Sequence, residues 1–528
     1  MTYIYYYSDR RKIRNFDFKD SRIEDDFFLY TYNKMKYVDF LEKNRYNKGL
    51  TINTPIRKDL PVLMCDQTAS GYPLKCVEKF IEQEIYPVYS NTHSNNYFGR
   101  LMTSYIEKAK KSIALATNMR CDDDKIIFTG SGSSGAITHL IHMIKPMINN
   151  CTVFISMIEH YSNYLPWFHV VNGDEDSSCK NNDLKFIHTE DETGKLDVKR
   201  FINDLNTTNK HNIIVSITAC SNVSGVLQDI YTFAKITHSV NGLFFVDFAA
   251  AAPYVAINMH RNDSEGEYFD GMFISPHKFP GGQASPGLLI VRRDIVCNKT
   301  SYTPSGGTVR FACSSKGPIY SDNLEVKEMG GTPNIVGIIK TGLAFDIKTK
   351  FFDEINTHEM NLTEKFQDLL LRIQSDNDNL VILNPIKNIV RLPIFSIQIV
   401  PYHYNFIVVL LNDLFGIATR GGISCSALFA EETLKLSSDD LQKIKTNIVS
   451  GNGVPSEYGW IRITFTSLHS FRDVEYVANA INFICKNAKK YEKAYRYDKT
   501  KNVFFSTYCK DGICTSHNAF GVIETAMS

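Results

Sequence analysis

The sequence predicts an α/β protein: a mostly parallel, seven-stranded sheet covered by helices on both faces, followed by a smaller α+β domain. Three observations carry that expectation. Short β-branched and aromatic runs alternate with amphipathic segments after the first 60 residues. The runs are near-continuously apolar, the pattern of strands buried on both faces. The texture then changes after Thr332-Pro333, where longer helical stretches take over.

Taken in chain order, residues 1–60 are rich in Lys, Arg, Tyr and Asp with little periodicity, and read as an N-terminal extension. Helical spacing appears in Leu74–Ile85 and Tyr97–Ala116. Expected strands are Ile126–Thr129, Thr152–Met157, Leu184–Ile187, Ile213–Thr218 and Leu243–Val246, with Gly271–Ser275 and Gly287–Val291 completing the sheet. The polar, acidic stretch Asn172–Asn182 reads as a surface insertion. In the smaller domain Asn334–Phe352 and His358–Ser375 read as two helices, Leu392–Val400, Ile417–Arg420 and Trp460–Thr466 as strands, and Val474–Cys485 as a helix. The expected division is therefore 1–60 extension, 61–332 large domain, 333–490 small domain with part of the N-terminal segment, and 491–528 tail.

Composition narrows the function classes. The 528 residues are 43% hydrophobic, enough for a large core. Lys and Arg number 58 against 57 Asp and Glu, so no field steers the chain towards nucleic acid or a membrane surface. No apolar run of about 18 residues suggests a transmembrane helix, and Met1 to Arg14 lacks the features of a signal peptide. The 12 Cys include no Cys-x-x-Cys pair and are expected to be reduced, in a cytoplasmic protein. Cys509, Cys514 and His517 cluster but lack a clear fourth ligand, so no metal site is expected.

The densest chemical signal is Phe273-Ile274-Ser275-Pro276-His277-Lys278-Phe279-Pro280-Gly281-Gly282. A Lys at the carboxyl end of a strand can be desolvated, which lowers its pKa and makes its amine nucleophilic. Alone, it could equally be a solvated loop lysine. About thirty residues earlier, Asp247 closes the apolar run Leu243–Val246. A buried Asp needs a positive partner, such as a protonated pyridine nitrogen, unless it simply caps a helix. The Gly/Ser loop Thr129-Gly130-Ser131-Gly132-Ser133-Ser134-Gly135 joins a strand to a helix. It could cradle a phosphate, though it matches neither a Walker A loop nor a dinucleotide fingerprint. His160, after the strand at Thr152–Met157, could stack on a planar cofactor or serve as a cap. Asn222 sits at a turn, where its amide could donate to a phenolate oxygen or stabilise the turn.

In their order, these five elements resemble the class V aminotransferase family of fold-type I pyridoxal-5′-phosphate (PLP) enzymes, the group containing cysteine desulfurases, selenocysteine lyases and kynureninase. The resemblance runs from about Asp66 to about Asn487. Cys65-Asp66-Gln67-Thr68-Ala69-Ser70-Gly71 is similar to an early family segment. Tyr89-Ser90-Asn91-Thr92-His93-Ser94 with Gly99-Arg100 is similar to the next, and places Asn91 and His93 among the substrate-binding candidates. Ser275-Pro276-His277-Lys278 is the most specific match.

The resemblance implies that Lys278 forms a Schiff base with PLP and shuttles protons, that Asp247 pairs with the pyridine nitrogen, that His160 stacks on the ring and that Asn222 contacts the phenolate oxygen. Ser133, Ser134, Ser275 and His277 would hold the phosphate. Thr332 resembles a residue reaching the neighbouring subunit's cofactor, which implies a homodimer. Arg462, in Trp460-Ile461-Arg462, resembles the Arg that grips a substrate α-carboxylate. Arg420-Gly421-Gly422-Ile423-Ser424-Cys425 resembles the desulfurase loop whose Cys takes sulfur as a persulfide, for delivery to a sulfur acceptor protein.

Two departures stand out. Ala250 occupies the place of a Gln, and Ser426-Ala427-Leu428 differs after the Cys. The expectation is a cysteine desulfurase-like enzyme acting on L-cysteine. The alternatives are an aminotransferase, a selenocysteine lyase or a kynureninase-like enzyme on the same Lys and Asp, or an inactive scaffold of this fold.

Overall fold

The computed structural model describes residues 35–508, apart from 93, 174–181, 192, 210–211 and 384–388. His93, most of the expected insertion, and the Cys509/Cys514/His517 cluster therefore lie outside the described residues.

Seven strands form the large sheet: β1 (Asp124–Thr129), β2 (Cys151–Ser156), β3 (Asp183–Ile187), β4 (Asn212–Thr218), β5 (Leu243–Asp247), β6 (Gly271–Ile274) and β7 (Gly287–Arg292). Their spatial order is β1-β7-β6-β5-β4-β2-β3. The pairings from β6 through β3 are parallel. Strand β7 pairs antiparallel with both β1 and β6, so it alone runs against the rest. Successive side chains in a strand point to opposite faces. Accordingly, Phe244, Val246, Met272 and Ile274 join one buried cluster, and Phe245 and Phe273 another. Both faces are dry, which is why these runs are apolar without alternation.

Helices cover the sheet, among them α2 (Tyr97–Thr117), α3 (Gly132–Met143) and α4 (Tyr161–Asn172). Within the segment read as an extension, α1 (Tyr37–Asn44) buries Tyr37, Phe40 and Leu41 in the same cluster as the sheet. The two helices expected between 334 and 375 are one, α5 (Ile335–Asp376), bent at Phe351 (φ −105°, ψ 15°). At that bend the Phe351 ring meets Tyr37 and Phe40 of α1 at centroid distances of 5.2 and 5.0 Å.

The smaller unit is an antiparallel sheet of β8 (Leu380–Ile382), β9 (Ile394–Ile399), β10 (Arg420–Gly422) and β11 (Trp460–Thr464), ordered β8-β9-β11-β10. Helix α6 (Phe471–Asn487) and the bent end of α5 bury its core. The single strand expected at 417–420 is split. Ile417–Ala418 pairs in parallel with Leu63–Met64, and β10 pairs with β11. Gly422 at φ +106° takes a backbone conformation that other residues rarely adopt. Among the described residues, no helix is long and apolar enough to cross a membrane.

Candidate active site

The carboxyl edge of the large sheet gathers the chemistry, where open α/β sheets place their ligands. Asp247 ends β5 and is buried. Its Oδ1 accepts a hydrogen bond from the Ala249 amide at 2.8 Å. Burial pushes its carboxyl up, against the pull of that amide, the Lys278 charge and the Ser133 hydroxyl. One strand over, β6 ends in a single helical turn, Pro276–Lys278. Removal from water lowers the Lys278 amine to about 8, with Arg462 and Arg420 pushing the same way and Asp247 opposing. The segment after Cys65 lies flush against this turn. The Gly71 amide donates to His277 O at 2.9 Å, and a Cβ on Gly71 would come within 2.3 Å of Phe279 O.

His160 caps α4, its Nδ1 accepting from the Ser162 amide at 3.1 Å. Burial, then the charges of Lys278, Arg420 and Arg462, hold its imidazole down to about 3, so it is neutral at physiological pH. At the start of α3 the Ser133 amide donates to Ser275 Oγ at 2.9 Å. Gly132 sits so close that a Cβ there would fall 2.7 Å from His277 Cε1 and 2.8 Å from Ser275 Oγ. Burial lowers His277 to about 4, helped by Lys278. Ser134 Oγ meets Ser162 Oγ at 2.5 Å, which joins the starts of α3 and α4.

The smaller unit supplies the opposite wall. Arg462 on β11 is buried, its Nη2 paired with Asp66 Oδ1 at 2.7 Å and its Nη1 donating to Asn222 O at 3.2 Å, while Nε has no hydrogen-bond partner among the described residues. Cys425 and Ser424 both hold left-handed backbone (φ +57° and +53°). Such residues are strained and need surroundings that hold them. Four hydrogen bonds do so. Asn222 Nδ2 donates to Ser424 O (3.0 Å), Ser426 Oγ to Asn222 Oδ1 (2.8 Å), Trp460 Nε1 to Ser424 Oγ (3.2 Å), and the Tyr161 amide to Cys425 O (2.8 Å). Arg420 Nη2 approaches Cys425 Sγ at 3.5 Å.

The structure thus brings together Lys278, Asp247, His160, Ser133, Ser275, His277, Asn222, Arg462 and Cys425. Asn91 and Thr332 stand apart on exposed positions, Asn91 Nδ2 donating to Thr332 Oγ1 at 3.2 Å. The amide of Asn222, expected to face a phenolate oxygen, is engaged with the Cys425 loop. Three residues escaped the sequence reading: Asp66 on Arg462, Arg420 on Cys425, and the buried Glu159. The first two lie inside motifs that sequence alone exposes, but neither motif shows which partner each residue meets.

These donors suit PLP. An amine of lowered basicity is available for its aldehyde, and a buried carboxylate with no ion-pair partner among the described residues for its ring nitrogen. A helix N-terminus flanked by hydroxyls is available for its phosphate. Fold and site together define a fold-type I PLP-dependent enzyme.

Comparisons with known proteins agree. Residues 64–477 match the Aminotransferase class-V family. A probable cysteine desulfurase of Methanothermobacter thermautotrophicus is 24% identical over 379 residues, spanning 70% of this chain and 87% of that protein. A probable cysteine desulfurase of Borreliella burgdorferi is 28% identical over 416 residues, spanning 74% and 90%. The apo structure of a cysteine desulfurase from Thermococcus onnurineus superposes with a TM-score of 0.66 at 20% identity, covering 83% of this chain and 99% of that one. The chain belongs to the class V aminotransferase family of PLP-dependent enzymes.

Proposed function

We propose that this enzyme is a desulfurase that converts L-cysteine to L-alanine and passes the sulfur to Cys425. The observation that carries the reading is the convergence of Lys278 and Cys425, from opposite walls, on one site. The Cys425 thiol acts electrostatically on Lys278, and Arg420 contacts the Cys425 sulfur. The names of the relatives point the same way.

In this reading Lys278 Nζ would attach the cofactor, Asp247 would hold its ring nitrogen, His160 its ring, and Ser133, Ser134, Ser275 and His277 its phosphate. When bound, PLP supplies an electron sink for charge developing at the substrate α-carbon. Arg462 receives the substrate carboxylate on the part of its guanidinium that Asp66 and Asn222 leave open. Lys278 Nζ takes the α-proton and returns one. The substrate Cβ–S bond breaks and a bond forms between that sulfur and Cys425 Sγ. The thiol's hydrogen balances the new methyl group of alanine, and the enzyme is left as Cys–S–SH. Arg420 contacts the sulfur that attacks, and Asn222 holds the loop that carries it. A sulfur acceptor then restores the thiol.

The reading also takes the enzyme as a cytoplasmic homodimer. Free thiols at every described cysteine suit a reducing compartment, and Thr332 lies exposed on the surface. The test adds L-cysteine to the PLP-loaded protein and measures alanine and sulfide. Cys425→Ala is expected to cut alanine release to background while keeping the cofactor's visible absorbance. Undiminished release from that variant would remove Cys425 from the chemistry and turn the assignment towards another class V reaction.

A further inference from the structure

Glu159 is buried at the carboxyl edge of the sheet, and the reading above gives it no work. Its Oε1 accepts from the Thr218 amide at 2.6 Å and from Ser156 Oγ, and its Oε2 accepts from Asn163 Nδ2 at 2.9 Å. Ser156 ends β2 and Thr218 ends the neighbouring β4, while Asn163 lies in the first turn of α4. Asn163 Oδ1 in turn receives Ser216 Oγ at 2.7 Å and Trp167 Nε1 at 3.2 Å. One carboxyl therefore ties two strand ends to the helix that His160 caps, and His160 is the next residue. Thr218 is also the register partner of Asp247 on β5.

We propose that Glu159 is a positioning residue that works as a neutral acid, fixing His160 in the site while leaving Asp247 as its one buried carboxylate charge. The inference rests on the PLP reading of this site. None of the groups bound to Glu159 is a cation. Those facing it from β2, α4 and β4 are the neutral Ser156, Asn163 and Thr218, and the titratable group that acts on it is Asp247 on β5. Two ionised carboxylates so placed would repel. The Ser156 hydroxyl can accept as well as donate, which gives an acid proton a partner. Burial pushes Glu159 up to about 8, in keeping with that state.

The experiment measures PLP binding to the full-length apo protein by equilibrium titration, with the circular dichroism of the bound cofactor as a second readout. Glu159→Gln, which keeps the shape and the neutral charge, is expected to bind within about twofold of wild type with an unchanged dichroic band. Glu159→Ala leaves buried donors unpaired and is expected to weaken binding about tenfold and shrink the band. If that variant does not fold, Asn163→Ala carries the same expectation. Should the Gln variant fall as far as the Ala variant, the negative charge is what matters and the inference is wrong. Wild-type behaviour in the Ala variants removes the positioning role. A wild-type chain that takes up no PLP instead overturns the site reading beneath.

Discussion

Lys348 is buried and Lys278 half-buried on the wall of one cavity, and their environments differ in one respect. Lys278 follows the sheet edge and shares its site with Asp247. Lys348 lies on α5, near the carboxylate of Glu359. Burial lowers both, Lys278 to about 8 and Lys348 to about 7, and it raises both carboxyls. The ammonium of Lys348, however, is capped by two carbonyls, Ala252 O and Val255 O (2.6 Å), and lies 5.6 Å from the Phe279 ring centre. No hydrogen bond to Lys278 Nζ is found among the described residues. A cavity of about 20 Å³ is walled by both lysines, Glu359, Tyr254 and Tyr37, with room for water. The contrast teaches that desolvation prepares an amine to react, while hydrogen-bond wiring decides whether it is free to do so.

The largest expected effect breaks the pair apart. Lys278→Ala is expected to abolish the borohydride-stable attachment of PLP and to cut turnover at least about 10²-fold. Lys348→Met is expected to keep the attachment and lose about 1–3 kcal/mol of stability in urea denaturation, because a buried and a half-buried carbonyl lose their donor. Loss of attachment in the Lys348 variant would dissolve the distinction.

A pH titration sharpens it. The neutral amine is the nucleophile, so capture of PLP by the apo protein is expected to rise with pH to a midpoint near 8, not near 10.5 as for a solvated lysine. At pH 7 about a tenth of the Lys278 population is then already unprotonated. Lys348→Met is expected to leave that midpoint in place, which stopped-flow absorbance would show. The smallest effect concerns the cavity's outer wall. Tyr37 Oη meets Ser467 Oγ at 2.7 Å, so Tyr37→Phe is expected to cost about 0.5–1.5 kcal/mol in the same denaturation measurement.

Much of the large sheet was legible because strands buried on both faces leave apolar runs of strand length. All seven runs became strands, and the lysine, aspartate and histidine lie at their carboxyl ends as the spacing suggests. The reversal of β7 left no trace, since strand direction changes hydrogen-bond partners and not composition. The split at 417–422 was hidden for a similar reason: two sheets draw on one apolar stretch. Helix α5 read as two because the residues near its bend look polar, whereas the aromatic contacts of α1 come from 300 residues away in sequence. Glu159 was invisible because an isolated Glu in a turn reads as solvated.

The sequence by itself determined the class of chemistry. An amine, a carboxylate and an imidazole after three of the strands, with a Gly/Ser helix start, stand in an order that resembles the class V aminotransferases, and that resemblance implies the cofactor. Only the tertiary structure decided the partners: Arg462 with Asp66, Arg420 with Cys425, Asn222 with the loop at 424–426, and the capped Lys348 against the open Lys278. Those choices depend on which surfaces meet when the two units close on each other. Contacts between residues up to about 400 positions apart follow from packing, and local spacing carries no record of them.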